Sequence, residues 1–154
     1  MNCEVVAVGT ELLLGQIVDT NSSWIGEQLA ASGIDSHWQT KVGDNWDRIA
    51  DSLRLAVSRS DAVIVSGGLG PTPDDITREV LAGLMGVELV ADPVIEQRIR
   101  EMFGRHGRDM PENNLRQAMV PVGARPIPEQ PGTAPGLIAE LARPDDGAGG
   151  DEAA

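Results

Sequence analysis

Ala62-Val63-Ile64-Val65-Ser66-Gly67-Gly68-Leu69-Gly70-Pro71-Thr72-Pro73-Asp74-Asp75-Ile76-Thr77-Arg78-Glu79-Val80 is the stretch whose reading decides the fold. The run Ala62 to Val65 is short and unbroken in its apolar character, the signature of a strand buried on both faces of a parallel sheet. It stops at Gly67-Gly68 and Gly70, where the backbone can turn sharply and no Cβ shields the N–H groups. Pro71, Thr72 and Pro73 stiffen the loop, and Asp74-Asp75 open a predicted helix carried by Ile76, Val80 and Leu84. Open α/β sheets bind ligands at this kind of place, outside the carboxyl ends of strands. Free backbone N–H groups there attract an anion.

The paired carboxylates add a second expectation. One Asp satisfies a helix N-terminus, contributing about 1 kcal/mol through capping and the macrodipole. A second, with Thr77 a turn further on, suits a hard cation beside a phosphate, because Mg²⁺ favours one or two carboxylates together with phosphate oxygens. The alternative is a doubly acidic helix cap without a ligand. Familiar nucleotide loops do not match. A Walker loop needs Gly-Lys-Ser/Thr, whereas the only lysine is Lys41, and the dinucleotide fingerprint fails at Pro73. A phosphate bound here is therefore expected to be held by backbone and metal.

Composition narrows the remaining choices. At 154 residues, 41% of them hydrophobic, the chain has enough material for one α/β domain with its own core. Formal net charge is −12, and residues 144–154 hold four of the acids and no base, leaving −8 for the rest. Such a surface disfavours nonspecific binding of nucleic acid or anionic membrane. Aromatic content of 3% weakens base stacking as well. The single cysteine, Cys3, falls inside the first predicted strand and reads as a small buried apolar group. No apolar run approaches the roughly 18 residues of a membrane span and no signal peptide is recognisable, so a cytoplasmic location is expected.

In chain order, Val5-Val6-Ala7-Val8 is a second buried-type strand, ending at Gly9-Thr10-Glu11. Asp19-Thr20-Asn21-Ser22 supplies four N-cap candidates for a helix carrying Trp24, Ile25, Leu29 and Ala30 and closed by Gly33. The surplus of polar residues reads either as one wall of a cleft or as a solvated loop. Ile34 to Val42 is a predicted strand, and His37 within it has no spaced metal-binding partner. Gly43-Asp44-Asn45 is a turn, in which Asp44 either caps or faces the glycine loop. Trp46, Ile49, Leu53 and Val57 share one helix face. The order βαβαβα, with right-handed crossovers, predicts a three-layer αβα sandwich on a mostly parallel sheet. Further on come a short strand at Val87 to Val90 and a helix from Asp92-Pro93 with Ile95, Ile99, Met102 and Phe103 inward. His106 falls in a loop, and Pro111 to Ala118 reads as a short helix whose Arg116 could reach a phosphate. Strands at Val122 to Pro128 and Leu137 to Leu141 flank a turn, Gly132-Thr133-Ala134-Pro135-Gly136, and 143–154 reads as a disordered acidic tail or an interrupted insertion, with the domain at 1–142.

Four segments together carry a family resemblance. They are Gly9-Thr10-Glu11-Leu12-Leu13-Leu14-Gly15-Gln16 with Asp19-Thr20-Asn21, the loop Gly67 to Glu79, Pro111-Glu112-Asn113-Asn114 with Arg116-Gln117-Ala118, and Gly132 to Gly136. In this order they resemble the N-terminal domain of the competence/damage-inducible CinA family, of the molybdopterin-binding MoaB/MogA-like fold, over about residues 3 to 141. The family pattern continues beyond Leu141 with a strand and a Leu-Pro-Gly-x-Pro-x-Glu loop, where this chain runs into Arg143-Pro144-Asp145-Asp146-Gly147. The resemblance thus implies a domain lacking its C-terminal part.

The resemblance implies a site gathered at the glycine loops. Gly9, Thr10, Asn21, Ser22, Gly67, Gly68, Gly70, Thr72, Thr77, Asn114, Arg116, Gly132 and Thr133 would contact a phosphorylated small molecule of ADP-ribose or molybdopterin type. Asp75, with Asp74 or Asp44, would hold Mg²⁺ or another divalent metal, and Glu11 or an aspartate would position a water. Three activities are implied: metal-dependent ADP-ribose pyrophosphate hydrolysis, transfer of AMP to molybdopterin, or ligand binding without catalysis. Relatives of this kind form dimers or trimers, so a homo-oligomer is expected.

Overall fold

A computed structural model of the protein describes residues 1–105, 107, 109–128 and 131–142. The expectations for His106 and for the tail 143–154 fall outside these residues. The N-terminal strand β1 (Cys3–Val8) lies between β2 (Gln39–Val42) and β3 (Ala62–Ser66), both parallel to it. The chain leaves β1, forms β2 on one side, then crosses to β3 on the other. The carboxyl ends of β1 and β3 thus flank the topological switch point, where a crevice opens in sheets of this kind.

Alternation along β1 sorts the core into two layers. Cys3 and Val5 face helix α2 (Thr20–Ala31), packing on Leu29 and Ile25. Val6 and Val8 face the opposite side, against Ile49, Ala50, Leu53 and Ala56 of α3 (Trp46–Arg59) and Val80 of α4 (Thr77–Met85). Helices thus cover both faces of the parallel sheet, as the βαβ order predicts. A separate apolar cluster joins α5 (Pro93–Arg105) to the 3₁₀ turn Glu112–Ala118 through Ile95, Ile99, Ala118 and Val120. It rests on an antiparallel pair, β4 (Leu89–Ala91) with β5 (Met119–Pro121), and a second antiparallel pair joins β6 (Arg125–Pro126) to β7 (Leu137–Ile138).

Several elements depart from expectation. β3 is half-buried along its whole length, not enclosed, because it is an edge strand of the three-stranded sheet. Its free edge lines a cavity of about 720 Å³ whose far wall is the segment 136–141. The strand expected from Ile34 forms only from Gln39, residues 34–38 being tied to β1 by the bridge from Asn2 to Asp35 and by the bond from Val5 N–H to the Trp38 carbonyl. Trp24, expected in the core, is exposed. The strand read at Val122 to Pro128 is split by a turn at Val122-Gly123, with Gly123 at φ +89°. The helix caps at Asp19, Asn45 and Asp92 do hold N–H groups of their first turns.

β1 also carries a buried charge. The side chain of Glu4 accepts two hydrogen bonds from Arg59, at 2.7 and 2.8 Å, and one from Thr40 at 2.8 Å. Arg59 in turn stacks over Trp38. Hydrogen bonding from Arg59 draws the Glu4 carboxyl below its ordinary range, against burial, with Thr40 and the Arg59 charge assisting. A lowered folded value means the stabilisation is present above the unfolded value of about 4.3 and is lost as pH falls through the folded one. Thermal melts of Glu4→Gln should therefore show a lowered midpoint at pH 7 and a shallower loss between pH 5 and 3 than wild type. Equal acid limbs would remove this pair from the account.

Candidate functional site

The carboxyl ends of all three parallel strands are tied together by the residues that follow them. After β1, Gly9 leads into the short helix α1 (Thr10–Leu13). Thr10 N–H donates to Asp44 Oδ2 at 2.8 Å, and Asp44 N–H donates back to Thr10 Oγ1 at 3.1 Å. This reciprocal pair satisfies an otherwise unpaired donor at the start of α1 and fixes the loop after β2 against the loop after β1. At the end of β3, Ser66 Oγ accepts from Asn21 Nδ2 at 3.1 Å, which brings the start of α2 to the same edge. Asp44 thus faces Thr10 in the loop after β1, and the strand adjacency that would have turned it to the glycine loop is absent because β1 separates β2 from β3. Asp44→Ala should cost about 1 kcal/mol in urea unfolding and loosen the Thr10 amide, read as faster hydrogen exchange at that residue.

The glycine loop has a built interior. Gly67 and Gly68 hold φ of +103° and +68°, a region that disfavours side chains. A Cβ on Gly67 would fall inside the van der Waals radius of the Val8 carbonyl oxygen, and one on Gly68 would overlap Thr77 Oγ1. Thr77 holds both residues, donating from its hydroxyl to the Gly67 carbonyl at 2.9 Å and from its N–H to the Gly68 carbonyl at 3.1 Å. The N–H groups of Gly67, Gly68 and Leu69 have no hydrogen-bond partner among the described residues. Three successive free donors stand at the carboxyl end of β3, beside Gly9 and Thr10.

Asp75 does not cap a helix, as its position in the sequence suggested. α4 begins at Thr77, its preceding residue Ile76 provides no side-chain cap, and the Asp75 carboxylate turns back onto its own loop. Oδ2 accepts from Thr72 N–H at 2.9 Å and from the Thr72 hydroxyl, and Gly70 N–H also donates to the carboxylate. Gly70 is glycine for that reason, since a Cβ there would stand 2.6 Å from Asp75 Oδ2. Burial pushes the Asp75 carboxyl up, but the Thr72 and Gly70 hydrogen bonds and the nearby Arg78 charge outweigh it and hold it below its ordinary value. Gly70 N–H is thus spoken for, and Leu69 N–H takes the place the sequence reading gave it.

Two arginines close the loop from beneath. Arg78, 1% exposed, donates to the carbonyls of Leu69 and Arg116 at 2.8 Å and of Gly70 at 3.2 Å. Arg116 donates to the Thr72 carbonyl at 2.6 Å and pairs with Glu79 at 2.8 Å. Its guanidinium is committed to the loop, not held out for a phosphate. Arg78 escapes a sequence reading because it stands between Thr77 and Glu79 in a polar stretch of the helix start. Its spacing of four from buried Ala82 was the available signal that it points inward.

Other expected residues lie elsewhere. Ser22 is buried, with its N–H on Asp19 and its carbonyl accepting from Gln39, and so does not line the crevice. Asn114 is buried within the 3₁₀ turn, bonded to Pro111, Asn113 and Gln117. Gly132 is exposed and Thr133 half-buried, and neither is hydrogen-bonded to the glycine loop. Asp74 is exposed. Glu11 folds over Gly9, its carboxylate 2.5 Å from where a Cβ would stand.

Among the described residues no group of three or more His, Cys, Asp or Glu converges, and Asp44 and Asp75 each spend one oxygen on a neighbouring N–H. No all-protein cage of this kind is built among the described residues. A Mg²⁺-like ion that arrives with its phosphate needs only one or two carboxylates from the protein.

Comparison with known proteins places the chain. A family model described as "Probable molybdopterin binding domain" matches residues 4–143. The chain belongs to this family. Within it, the CinA proteins are the near relatives. CinA from Thermoplasma acidophilum, described as of unknown function, superposes with a TM-score of 0.82 at 38% identity, covering 91% of this chain and 82% of that one. A "Putative competence-damage inducible protein" of Symbiobacterium thermophilum is 54% identical over 138 residues, 90% of this chain. A CinA-like protein of Nostoc is 47% identical over 140 residues. This chain spans about a third of the length of those two relatives, 32% and 33% respectively. The tungsten cofactor synthesizing protein MoaB of Pyrococcus furiosus shares the fold at a TM-score of 0.52 and 27% identity, over 68% of this chain and 66% of that one. No helix among the described residues is long and apolar enough to cross a membrane.

Proposed function

We propose that this domain binds the phosphate groups of a nucleotide- or pterin-type small molecule at the free N–H groups of Gly67, Gly68 and Leu69, and hydrolyses a pyrophosphate bond of ADP-ribose type. The observation that carries the reading is that row of three unpaired donors at the switch point. Oriented backbone donors at a strand end attract an anion without any lysine, which suits a chain with only one. A divalent cation carried in by the diphosphate would lie against Asp75 and Asp44, supplying neutralisation of the charge that develops on the phosphate oxygens. The chain's own residues bind and orient. Gly67, Gly68 and Leu69 hold the phosphate, and Asn21 and Thr10 stand where the ligand's polar end would lie. Glu11 would position the attacking water and take its proton as the new P–O bond forms, while the bridging P–O bond breaks and the sugar phosphate leaves, with AMP as the other product.

A second reading draws on the family description: a pterin phosphate as the ligand, with adenylyl transfer or simple binding as the outcome. Calorimetric titration of the chain with ADP-ribose and Mg²⁺, with the cell sampled for AMP, separates the readings. AMP release supports hydrolysis. Metal-dependent binding without AMP overturns hydrolysis and leaves a binding domain. Absence of binding, with binding of a molybdopterin ligand instead, gives the site to the pterin. We further propose that the domain works as a homo-oligomer, which sedimentation of the same sample would check.

A further inference from the structure

We propose that Arg78 is the positioning residue of this site: its buried guanidinium holds the carbonyls of Leu69 and Gly70 and so fixes the far end of the loop whose Gly67, Gly68 and Leu69 N–H groups face the ligand, and its charge favours a ligand carrying two phosphates over one carrying a single phosphate. This rests on the phosphate-binding reading above.

The geometry carries the inference. Arg78 sits one residue into α4 and is 1% exposed, yet no carboxylate lies within ion-pair distance of it among the described residues. Its terminal nitrogens are spent on three backbone carbonyls, two of them in the glycine loop, and its Nε is buried without a partner. A guanidinium placed in the interior without a bound anion is costly, and surrounding dipoles recover only part of that cost. Burial lowers its proton affinity, while the charges of Glu79 and Asp75 oppose this and that of Arg116 adds to it. A cation fixed under a loop of free N–H donors adds a long-range attraction for a second negative charge, little screened because it is buried.

The backbone consequence is equally specific. A peptide unit turns as a plate. Holding the Leu69 carbonyl toward Arg78 turns Gly70 N–H the other way, where Asp75 takes it, and fixes the ψ of Leu69 and the loop that follows. Release of that carbonyl would free the loop to satisfy its own donors, and the ligand would have to compete with those internal bonds.

The experiment compares Arg78→Lys and Arg78→Met with wild type in the full chain. Amide hydrogen exchange at Gly67, Gly68 and Leu69 is followed alongside calorimetric titration with ADP and with AMP. Arg78→Lys keeps the charge but reaches fewer carbonyls, whereas Arg78→Met keeps the stem and loses both functions. The expected result is altered exchange at these three amides in both variants. ADP affinity should fall about tenfold or more in Arg78→Met and less in Arg78→Lys, and the preference for ADP over AMP should shrink only in Arg78→Met. Unchanged exchange in a folded variant, or an equal loss for ADP and AMP in both, would overturn the proposal. If Arg78→Met does not fold, Arg78→Lys decides through its exchange pattern and the preserved ADP preference. Failure of wild type to bind either nucleotide would count against the phosphate reading, while the exchange data would still judge whether Arg78 sets the loop.

Discussion

Gly67→Ala should lose about 3 kcal/mol or more of stability in urea unfolding and bind no phosphate ligand. Two independent costs add. The φ of +103° at Gly67 is strained for any L side chain, and the new Cβ would press into the Val8 carbonyl. Val8 is the last residue of the central strand, with Val42 in register beside it, so it cannot move without disturbing the sheet. The loop would have to lift away, carrying the Gly68 and Leu69 N–H groups with it. A variant as stable as wild type would mean that the loop is free to choose another path.

Asp75→Ala should lower phosphate-dependent turnover about 100-fold or more with a smaller effect on stability, about 1 kcal/mol after allowance for solvent screening. The carboxylate closes the loop from 70 to 75 through Thr72 and Gly70, and the proposed cation would draw on the same group. Asp75→Asn distinguishes these roles, since the amide oxygen still accepts from Thr72 N–H but offers no charge. Turnover in Asp75→Asn as low as in Asp75→Ala assigns the carboxylate to the cation, and recovery assigns it to the loop. The lowered carboxyl value gives a pH test as well. The Asp75 contribution to stability is present above its unfolded value of about 3.9 and fades as pH falls through the lower folded one, so the acid limb of the stability curve should shift in the Asp75→Asn variant.

Much of this arrangement is legible from residue order alone. The βαβαβα order, the two glycine turns after apolar strands, and the cap residues Asp19 and Asp92 follow from local physics that the structure preserves, whereas the cap of α3 falls on Asn45 and not on Asp44. Asp44 meets Thr10, not the glycine loop, because its strand lies beside β1 and not beside β3. What local reasoning missed depends on long-range closure. β3 reads as fully enclosed because a continuous apolar run has no period to tell an inner strand from an outer one. Asp75 reads as a cap because only the folded loop brings Thr72 and Gly70 within its reach. Arg116 reads as a phosphate ligand because its partners, the carbonyls of the loop after β3, are 41 and 44 residues away.

The measurement closest to the central claim is a ¹⁵N–¹H titration of the assigned chain with ADP-ribose and Mg²⁺. The account predicts that the amides of Gly67, Gly68 and Leu69 move first and farthest, with Thr10 and Asn21 following at the same half-saturation. Shifts confined to the cavity along the free edge of β3, with the three glycine-loop amides unmoved at saturating ligand, would contradict it.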